Sequence, residues 1–422
     1  MGRERLELDE RQPDFPLRKE GYQEEYTRFV KSVTRKPVVG VGRFTSPDTM
    51  VSQVRRGVLD FIGAARPSIA DPFLPRKLEE GRAEDIRECI GCNICVSSDY
   101  SSSNLRCTQN PTMGEEWRRG WHPERIPPRG AEGTVLVVGA GPAGLEAALA
   151  AARRGYEVHL SEASTELGGR VVREAALPGL REWLRVRDWR VGQLEKLSNV
   201  YIYRDSALDA ASILEFGAKH VALATGAHWR GDGVGRENGA AIEGFVDNVA
   251  VLTPDDVMDG RLPQAGPVVI FDDDHYYMGG VLAERCVEAG LKVTLVTPAA
   301  IPSAWTVNTL EALPIACRLA RLGVVVTAHT NIRSFTAGRA VLLDGLTGCA
   351  REIEAGAVIT VTGRLPRDEV YAGLADRVRR IGDCYGPGTI QAAVYSGHKF
   401  ARELDTTPSV FVPRELPTGV TA

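Results

Sequence analysis

The stretch TVLVVGAGPAGLEAALAAARRGYEVHLSE, from Thr134 to Glu162, determines the predicted fold of the central part of the chain. A five-residue apolar run precedes a glycine-rich turn, and an alanine-rich segment and a second apolar run follow it. Gly139 makes the tight turn, Gly141 admits a pyrophosphate to the helix N-terminus, and Gly144 lets helix and strand pack closely. Glu162 lies 23 residues after Gly139, where an acid suits ribose hydroxyl groups. The pattern predicts a dinucleotide-binding βαβ unit, and the alternative is a glycine turn without a ligand.

Three later glycine motifs stand in the order expected of a flavoprotein. Gly168-Gly169-Arg170 follows the acidic strand end, where the backbone can approach an adenylate. Ala224-Thr225-Gly226-Ala227 ends another predicted strand. Ile381-Gly382-Asp383 precedes a helix, which places Asp383 to accept hydrogen bonds from ribitol hydroxyls. Each motif alone is more typical of a turn than of a site, and their order gives them weight.

Four of the eight cysteines fall within nineteen residues, as Cys89-x2-Cys92-x2-Cys95-x11-Cys107. Three thiolates at three-residue spacing can point inward from one tight loop, and a fourth from a later turn completes the ligand set. The spacing therefore predicts a [4Fe–4S] cluster, and Gly91 lets the loop approach it without a Cβ clash. The alternatives are redundant buried thiols and a structural zinc ion, whose ligands usually form two separated Cys-x2-Cys pairs.

A second α/β unit begins at Pro267-Val-Val-Ile-Phe271 but lacks the glycine turn. Where a nicotinamide-binding domain would carry it, the chain has DDDHYYMGG at 272–280. Consecutive carboxylates repel a pyrophosphate at a helix N-terminus, so we do not expect NAD(P)H to bind here. Two interpretations of the acidic stretch remain: a solvated turn, which we favour, and a metal site formed by Asp272, Asp273, Asp274 and His275.

The segment before the cysteines is predicted to contain two buried parallel strands with a helix between them. Gly42-Arg43 follows the first strand, and Gly63-Ala64-Ala65-Arg66 follows the second. Backbone N–H groups and two arginines at adjacent strand ends are how β/α barrels bind the phosphate of flavin mononucleotide (FMN). The pattern favours this interpretation over ordinary surface arginines. The predicted elements are a helix over 22–33, a strand over 37–42, a helix over 47–56 and a strand over 59–63.

The composition is that of a globular protein: 422 residues, 43% hydrophobic and 25% charged. The net charge of −4, with both signs interspersed, does not favour nucleic-acid binding. The sequence contains no run of about 18 apolar residues, so no membrane-spanning helix is predicted. The first ten residues are too charged for a signal peptide, so the sequence predicts a cytoplasmic protein.

Together these motifs resemble the trimethylamine dehydrogenase and 2,4-dienoyl-CoA reductase family of flavin and iron–sulfur enzymes. The similarity is carried by GVGRFTSPDTM at 40–50, GAARPSIADPFLP at 63–75, IRECIGCNIC at 86–95, CTQNPTMGEEWRRGWHPE at 107–124 and SGHKFARE at 396–403. It covers nearly the whole chain. Within the family, the DDDHYYMGG stretch resembles the branch that demethylates methylated amines, notably dimethylglycine and related betaine derivatives.

The resemblance implies three cofactors: FMN, a [4Fe–4S] cluster, and FAD or only ADP. In the family, substrate is oxidised at FMN in an eight-stranded barrel, and electrons leave through the cluster to an electron-transferring flavoprotein. The cluster ligands would be Cys89, Cys92, Cys95 and Cys107. The FMN phosphate would be held by Gly42, Arg43, Gly63, Ala65 and Arg66. The dinucleotide or its ADP part would be held by Gly139, Gly141, Pro142, Ala143, Gly144, Glu162, Gly169, Arg170, Thr225, Gly226, Gly382 and Asp383.

The resemblance also implies the domain organisation, an α/β architecture with a barrel remnant, a cysteine loop and two Rossmann-like domains. We assign 1–85 to the last two βα units of a (β/α)8 barrel, 86–125 to the iron–sulfur segment, 134–265 with 380–405 to the FAD- or ADP-binding domain, 266–379 to a degenerate nucleotide-binding-like domain, and 406–422 to an extended tail. An NAD(P)H-dependent enoate or dienoyl-CoA-type reductase is an alternative function. Because the reductase branch needs a working NADPH site, the acidic stretch at 272–280 disfavours this alternative.

A complete barrel needs about 250 residues, and only about 90 precede the cluster. The part that carries the substrate pocket and the catalytic base in this family is missing, so no catalytic residue is predicted. We expect the rest of the barrel on a partner chain or in a missing N-terminal region. The other alternative is a non-catalytic electron-transfer or assembly module. Four residues near the cysteines are a candidate docking face for the electron acceptor, although a solvated loop packed on the cluster segment is favoured: Trp117, Arg118, Arg119 and Trp121.

Overall fold

The computed structural model describes residues 20–100, 103–264, 266–374 and 377–406. In the N-terminal part, strands β1 and β2 pair in parallel, with Val39 opposite Phe61. Helix α3 connects the two strands and buries Met50 and Gln53. The elements up to the cysteines are α1 (Glu24–Thr27), α2 (Val30–Val33), β1 (Val39–Gly40), α3 (Pro47–Arg55), β2 (Phe61–Ile62), α4 (Ala65–Ala70) and α5 (Leu74–Glu79).

One prediction for this part changes, and one stays untested. The helix predicted over 22–33 is two separate helical turns, α1 and α2, neither of which buries a residue. Short helices without a buried face are marginal, because tertiary packing supplies most of a helix's stability. In the described part of the chain no third strand joins β1 and β2. That the pair is the end of a barrel therefore stays a prediction.

The cysteine segment carries two short helices, and the first α/β unit follows it. Its helix α8 is alanine-rich and almost wholly buried, so strands and helices approach it closely on all sides. The elements are α6 (Ile94–Tyr100), α7 (Glu116–Arg119), β3 (Thr134–Val138), α8 (Pro142–Arg153), β4 (Glu157–Ser161), α9 (Arg170–Ala175), α10 (Arg185–Leu194), β5 (Val200–Tyr203), α11 (Ala210–Phe216), β6 (His220–Leu223) and β7 (Ala227–Trp229).

The second α/β unit repeats the strand–helix alternation, and the chain then returns to the first unit. Its strand β9 is buried along its whole length, as strands inside parallel sheets are. The elements are β8 (Val251–Leu252), α12 (Pro254–Met258), β9 (Val268–Asp272), α13 (Tyr277–Glu288), β10 (Val293–Val296), α14 (Ala312–Arg321), β11 (Val325–Thr327), β12 (Thr330–Thr336), β13 (Arg339–Asp344), β14 (Ala350–Glu354), β15 (Ala357–Val361), β16 (Arg364–Pro366), β17 (Arg379–Arg380) and α15 (Ile390–Arg402).

Two five-stranded parallel sheets form the body of the molecule, so the predicted α/β class is confirmed. The first has the order β17-β6-β3-β4-β5 and the second β11-β10-β9-β15-β8. Strands β12, β13 and β14 form a separate antiparallel sheet, and β16 pairs with β7 to connect the two units. Helix α15 packs on α8 where Gly397 lies against the backbone of Ala143 and Ala147. A side chain at Gly397 would separate these two helices.

In the part of the chain that the structure describes, no helix combines the length and apolarity needed to cross a membrane. The predicted extended tail lies outside the described residues from position 407 onward.

Candidate cofactor sites

A cleft of about 790 Å³ opens at the carboxyl ends of the first sheet, between β3, β4, α9 and the start of α15. In open parallel sheets this edge is where ligands bind. The cleft is lined by ten of the twelve residues predicted to hold the dinucleotide: Gly139, Gly141, Pro142, Ala143, Glu162, Gly169, Arg170, Thr225, Gly226 and Asp383. The other two, Gly144 and Gly382, lie behind its wall, where a Cβ atom would collide with Gly139 O and with Ala143 respectively.

The glycine turn leaves its backbone open toward this cleft. Gly139 adopts φ 101°, which only glycine takes readily, and passes against the backbone of Ala224. A Cβ atom added to Gly141 would meet no other atom within 4 Å. The space in front of Gly141, at the N-terminus of α8, therefore fits a pyrophosphate.

Glu162 stands beside the turn and holds it. Its Oε2 accepts a hydrogen bond from the backbone N–H of Ala140 at 2.8 Å. Its Oε1 accepts from both N and Oγ of Ser164, at 2.9 and 2.8 Å. The carboxylate thus lies at the cleft wall, at the end of β4, where a ribose would stand.

An ion-pair network closes the inner end of the cleft. Asp383 Oδ2 lies 2.7 Å from Arg364 Nη1 and 3.0 Å from Arg170 Nη2, and its Oδ1 accepts from Gly388 N at 3.0 Å. Arg170 also contacts Glu174 at 2.8 Å. We expected Asp383 to accept hydrogen bonds from ribitol hydroxyls. Both of its carboxylate oxygens already have partners within the protein.

Behind this network a cavity of about 50 Å³ separates the cleft from the cysteine loop. Arg170, Glu174 and Thr389 line both the cavity and the cleft. On its far side the cavity is lined by Cys92 and Thr108. Cys92 is therefore separated from the dinucleotide cleft by one small cavity.

The four predicted cluster ligands lie in one region of the chain, and all four are half-buried. Burial raises the pKa of Cys89 and Cys95, raises the pKa of Cys92 well above its ordinary value, and raises the pKa of Cys107 to about 12. Without a metal these thiols are neutral, and a bound cluster would hold them as thiolates. The hydroxyl of Thr108 lies 3.1 Å from Cys92 Sγ.

The choice of a cluster over a single zinc ion stays a prediction from the cysteine spacing. Among the described residues no three His, Cys, Asp or Glu side chains converge on a point that would hold one metal ion. A tetrahedral zinc requires its thiolates on one ion at about 2.3 Å, whereas each corner of a [4Fe–4S] cube takes its own thiolate. Gly91 has φ 70°, and a Cβ there would collide with the guanidinium of Arg43.

The predicted phosphate residues follow the two paired strands, as the sequence implied. Gly63 N donates to Gly40 O at 2.8 Å, which keeps the two strand ends together. Arg43, which has φ 55°, is half-buried, and burial and the charge of Arg66 lower its pKa. Gly42 lies against Gly21, and Ala65 begins α4. The two arginines are thus brought together, next to the cysteine loop.

Sequence reasoning missed a polar relay that connects this pair to the second α/β unit. Arg66 Nη1 donates to Asn93 Oδ1 at 2.5 Å, and Asn93 Nδ2 donates to Thr309 O at 3.0 Å. Glu311 is fully buried, and its carboxyl accepts from the hydroxyl of Tyr277. Burial raises the pKa of Glu311 to about 9, so at neutral pH its carboxyl is protonated. Asn93 and Thr309 are 216 positions apart, and no local pattern indicates their contact.

The acidic stretch is not a solvated turn, so that interpretation was wrong. Asp272 and Asp273 are fully buried. Asp273 accepts hydrogen bonds from the backbone N–H of Glu237 and Asn238 and lies 3.2 Å from His275 Nε2. Backbone donors from a distant loop replace the water that the sequence pattern implied. The metal alternative finds no support, since these side chains do not converge on one ion in the described structure.

The four residues of the candidate docking face differ in exposure and in contacts. Trp117 is exposed, whereas Arg118 and Arg119 form ion pairs of 3.2 and 3.0 Å with the buried Glu115. Trp121 is buried and packs on Tyr395, with ring centroids 5.8 Å apart. Trp121 therefore cannot belong to a docking surface.

Comparison with known proteins agrees with this arrangement. Residues 3–85 match the NADH:flavin oxidoreductase / NADH oxidase family, residues 134–205 match FAD dependent oxidoreductases, and residues 252–372 match the OYE-like second alpha/beta domain. The chain is 39% identical over 420 residues to dimethylamine dehydrogenase of Hyphomicrobium sp. (strain x), covering 91% of this chain and 57% of that protein. It is 27% identical over 420 residues to N,N-dimethylglycine/sarcosine dehydrogenase of Chromohalobacter salexigens, covering 89% and 58%.

Two solved structures are also similar. One is the 6-hydroxypseudooxynicotine amine oxidase of Pseudomonas geniculata N1, with 52% identity, a TM-score of 0.88, and coverage of 91% of this chain and 59% of that one. The other is histamine dehydrogenase of Rhizobium sp. 4-9, with 50% identity, a TM-score of 0.91, and coverage of 96% and 61%. The chain thus spans less than two thirds of the length of these relatives. On these matches, the chain belongs to the trimethylamine dehydrogenase and 2,4-dienoyl-CoA reductase family of flavin oxidoreductases.

Proposed function

We propose that the chain is the electron-transfer part of an FMN- and [4Fe–4S]-containing amine dehydrogenase. One observation carries the proposal: the cysteine loop lies between the arginine pair and the dinucleotide cleft. Arg43 approaches the loop at Gly91 on one side, and Cys92 faces the small cavity beside the cleft on the other. A cluster held there is placed to receive electrons from a flavin whose phosphate the arginines bind.

The proposed reaction oxidises an N-methyl or similar carbon next to an amine nitrogen. Bound FMN supplies the two-electron acceptor for this C–H bond. The carbon loses a hydride equivalent, the resulting iminium adds water, and the products are an aldehyde and the shortened amine. With dimethylglycine or dimethylamine the aldehyde is formaldehyde. The dehydrogenases named above support an amine substrate, and the greater identity to dimethylamine and histamine dehydrogenases places small amines first in a screen.

We propose that a partner polypeptide supplies the remaining barrel strands, the substrate pocket and the catalytic base. Strands β1 and β2 form a two-stranded sheet, and within the described residues neither is paired on its outer edge. Isolated two-stranded sheets are marginal in water, and unpaired edges accept further strands. A missing N-terminal region of the same chain is the other source. If the chain is instead a non-catalytic electron-transfer or assembly module that binds a cluster, it needs neither a partner polypeptide nor a missing N-terminal region.

For the dinucleotide cleft we propose ADP rather than FAD. Asp383 would be the natural partner of a ribitol chain, but Arg364, Arg170 and the backbone of Gly388 occupy its oxygens. The cavity beyond the network, about 50 Å³, holds a few water molecules and not a three-ring flavin. The open glycine turn and Glu162 suit the ADP part alone.

The electron acceptor is proposed to be an electron-transferring flavoprotein. A reductase that takes hydride from NAD(P)H is disfavoured, because the nucleotide position of the second α/β unit is filled by buried carboxylates. A Cβ at Gly279 would lie 2.7 Å from Asp272 Cγ, so the buried carboxyl of Asp272 packs against the first turn of α13.

The test is to purify the complex anaerobically by a tag on this chain and to measure iron, sulfide and released nucleotides. Four irons, FMN and ADP, with a second polypeptide that carries barrel strands, are expected. Dimethylamine, dimethylglycine and histamine are then tested for reduction of ferricenium or of an electron-transferring flavoprotein. Iron with ADP but no FMN would indicate the electron-transfer module, and FAD would contradict the ADP assignment. NADPH oxidation without amine oxidation would indicate a reductase.

A further inference from the structure

A buried ion pair lies between α8, whose N-terminus faces the dinucleotide cleft, and the cysteine segment at 89–107. Arg190 on α10 is fully buried, and its Nε donates to Glu146 Oε2 at 2.8 Å. Glu146 lies on α8 and is 4% exposed. A buried ion pair adds little net stability compared with apolar side chains of similar volume. Stability alone therefore does not explain why two charges stand here.

The positive end of the pair is turned toward the cysteine segment. Arg190 Nη1 donates to Gln109 Oε1 at 2.9 Å, and Nη2 donates to Gln109 O at 3.1 Å. Gln109 follows Cys107 by two positions. Glu146 contacts the guanidinium at Nε, on the side of α8. The positive charge is therefore the nearer of the two charges to the cysteines.

The guanidinium acts on one cysteine through a single peptide group. The carbonyl that accepts from Arg190 Nη2 belongs to the peptide bond between Gln109 and Asn110, and the N–H of the same group is hydrogen-bonded to Cys107 Sγ. A cation at the carbonyl oxygen polarises the peptide and strengthens the hydrogen bond that its N–H donates. Burial lowers the pKa of Arg190, and the negative charges of Glu146 and Cys107 oppose that shift.

Gln109 also joins the two ends of the cysteine segment. Its Nε2 donates to Glu88 O at 3.0 Å and to Arg185 O at 3.3 Å. Glu88 directly precedes Cys89, so the amide that Arg190 holds connects the chain at the first cysteine with the chain at the last. Hydrogen-bond partners of this kind orient ligands and tune the group that the ligands hold.

Helix α15 holds the carboxylate of the pair. His398 Nδ1 donates to Glu146 Oε1 at 2.8 Å, and Arg402 Nε donates to His398 Nε2 at 3.0 Å. Because Nε2 accepts a hydrogen bond, the imidazole carries its proton on Nδ1 and is neutral. Burial favours the protonated form of Glu146, but the charge of Arg190 and the hydrogen bond from His398 lower its pKa to about 2. The pair is therefore ionised at neutral pH.

We infer that Arg190 is a positioning residue that raises the reduction potential of the cluster proposed at the four cysteines. This inference rests on the proposed function. A fixed positive charge and N–H···S hydrogen bonds both favour the reduced cluster, because it carries one more negative charge than the oxidised cluster. One electron enters the cluster, and Arg190 neither gives up a proton nor forms a new bond. The effect is to make the cluster a better acceptor for electrons from the proposed flavin.

The test compares cluster potentials in variants of the full chain, purified anaerobically and titrated with reductant while the reduced cluster is followed by electron paramagnetic resonance. R190M/E146Q removes both charges together, so no unpaired charge stays buried. We expect the equilibrium constant for cluster reduction to fall about tenfold, which is about 59 mV for one electron. E146Q removes the negative charge and keeps Arg190 at Gln109. We expect the same constant to rise about threefold in E146Q.

The chain offers a matched control in R154M/D405N. Arg154 and Asp405 form another buried pair, with the two side chains 2.7 Å apart and each 4% exposed. Arg154 follows the last residue of α8, about 12 Å along the helix from Glu146. Loss of this pair should leave the cluster potential unchanged.

Opposite shifts in R190M/E146Q and E146Q would support the inference, because lost packing does not lower the potential in one variant and raise it in the other. Equal potentials in all variants, or a lower potential in E146Q, would overturn the inference and leave the proposed function standing. E146Q gives this answer even if R190M/E146Q binds no iron. An unsubstituted chain that binds zinc or no iron would refute the proposed cluster, and the inference with it.

Discussion

The two α/β units share a strand–turn–helix design but treat the same position in opposite ways. In the first, β3 runs into α8 through a glycine turn, and the space before Gly141 is empty. In the second, β9 runs into α13 and ends in a buried carboxylate, Asp272, which accepts from His275 N at 3.0 Å and packs against Gly279. The fold provides the helix N-terminus in both cases. Whether a phosphate can reach it depends on a few side chains at the strand end.

The largest effect is expected when a side chain is added to the glycine turn of the first unit, at Gly144. In G144V the new side chain collides with Gly139 O, so we expect the free energy of unfolding to fall by about 3 kcal/mol or more and the nucleotide to be lost. Urea unfolding and nucleotide analysis measure the two effects. G141A is the control, because its Cβ meets no atom in the protein. It should keep the stability and weaken nucleotide binding, and equal destabilisation by both variants would refute this account of the turn.

The second unit should respond to loss of its buried carboxylates in stability alone. D273N removes a buried charge that accepts from Glu237 N and Asn238 N and contacts His275. We expect a loss of about 2 kcal/mol in the free energy of unfolding, since buried donors lose their partner. Bound ADP should stay at the level of the unsubstituted chain. A change in ADP content with unchanged stability would mean that this position binds nucleotide after all.

Unfolding measured over a pH series tests the buried carboxyl of Glu311 in the second α/β unit. Burial raises the pKa of Glu311 from 4.5 to about 9, so the folded chain keeps a proton that the unfolded chain releases above about pH 5. The free energy of unfolding therefore falls as pH rises toward 9, by up to about 1.4 kcal/mol per pH unit. E311Q has no such proton to lose, so its stability relative to the unsubstituted chain should increase from pH 5 to 9. A constant difference across this range would contradict the buried neutral carboxyl.

The smallest effect is expected at the inner end of the cleft. D383N weakens the contacts to Arg170 and Arg364 but leaves the glycine turn and Glu162 intact. If only ADP binds, its occupancy should change less than about twofold, because the network lies beyond the pyrophosphate. FAD retained by the unsubstituted chain and lost in D383N would show that Asp383 holds a ribitol after all.

Local spacing predicted much of this molecule. The turn at Gly139, the acid at Glu162 and the four cysteines follow from distances of a few residues to about two dozen along the chain, over which backbone geometry is regular. The burial of Asp273 did not follow, because its donors lie in a loop 35 residues away and a run of charge is ordinarily solvated. The contact of Asn93 with Thr309 spans 216 positions and depends on how two units pack. No periodic pattern in the sequence indicates such contacts.

The return of β17 and α15 to the first sheet has a consequence for biosynthesis. Asp383, Thr389 and Ala393 wall the cleft but are translated long after the glycine turn and the cysteine loop. Near the end of the described chain, Arg154 closes the unit by binding Asp405 at 2.7 Å. At 5–20 residues per second the ribosome needs about 15–60 s to proceed from Cys107 to this point. Nucleotide loading therefore comes well after synthesis of the cysteine loop, and the thiols of that loop are exposed in the interval without the finished fold around them.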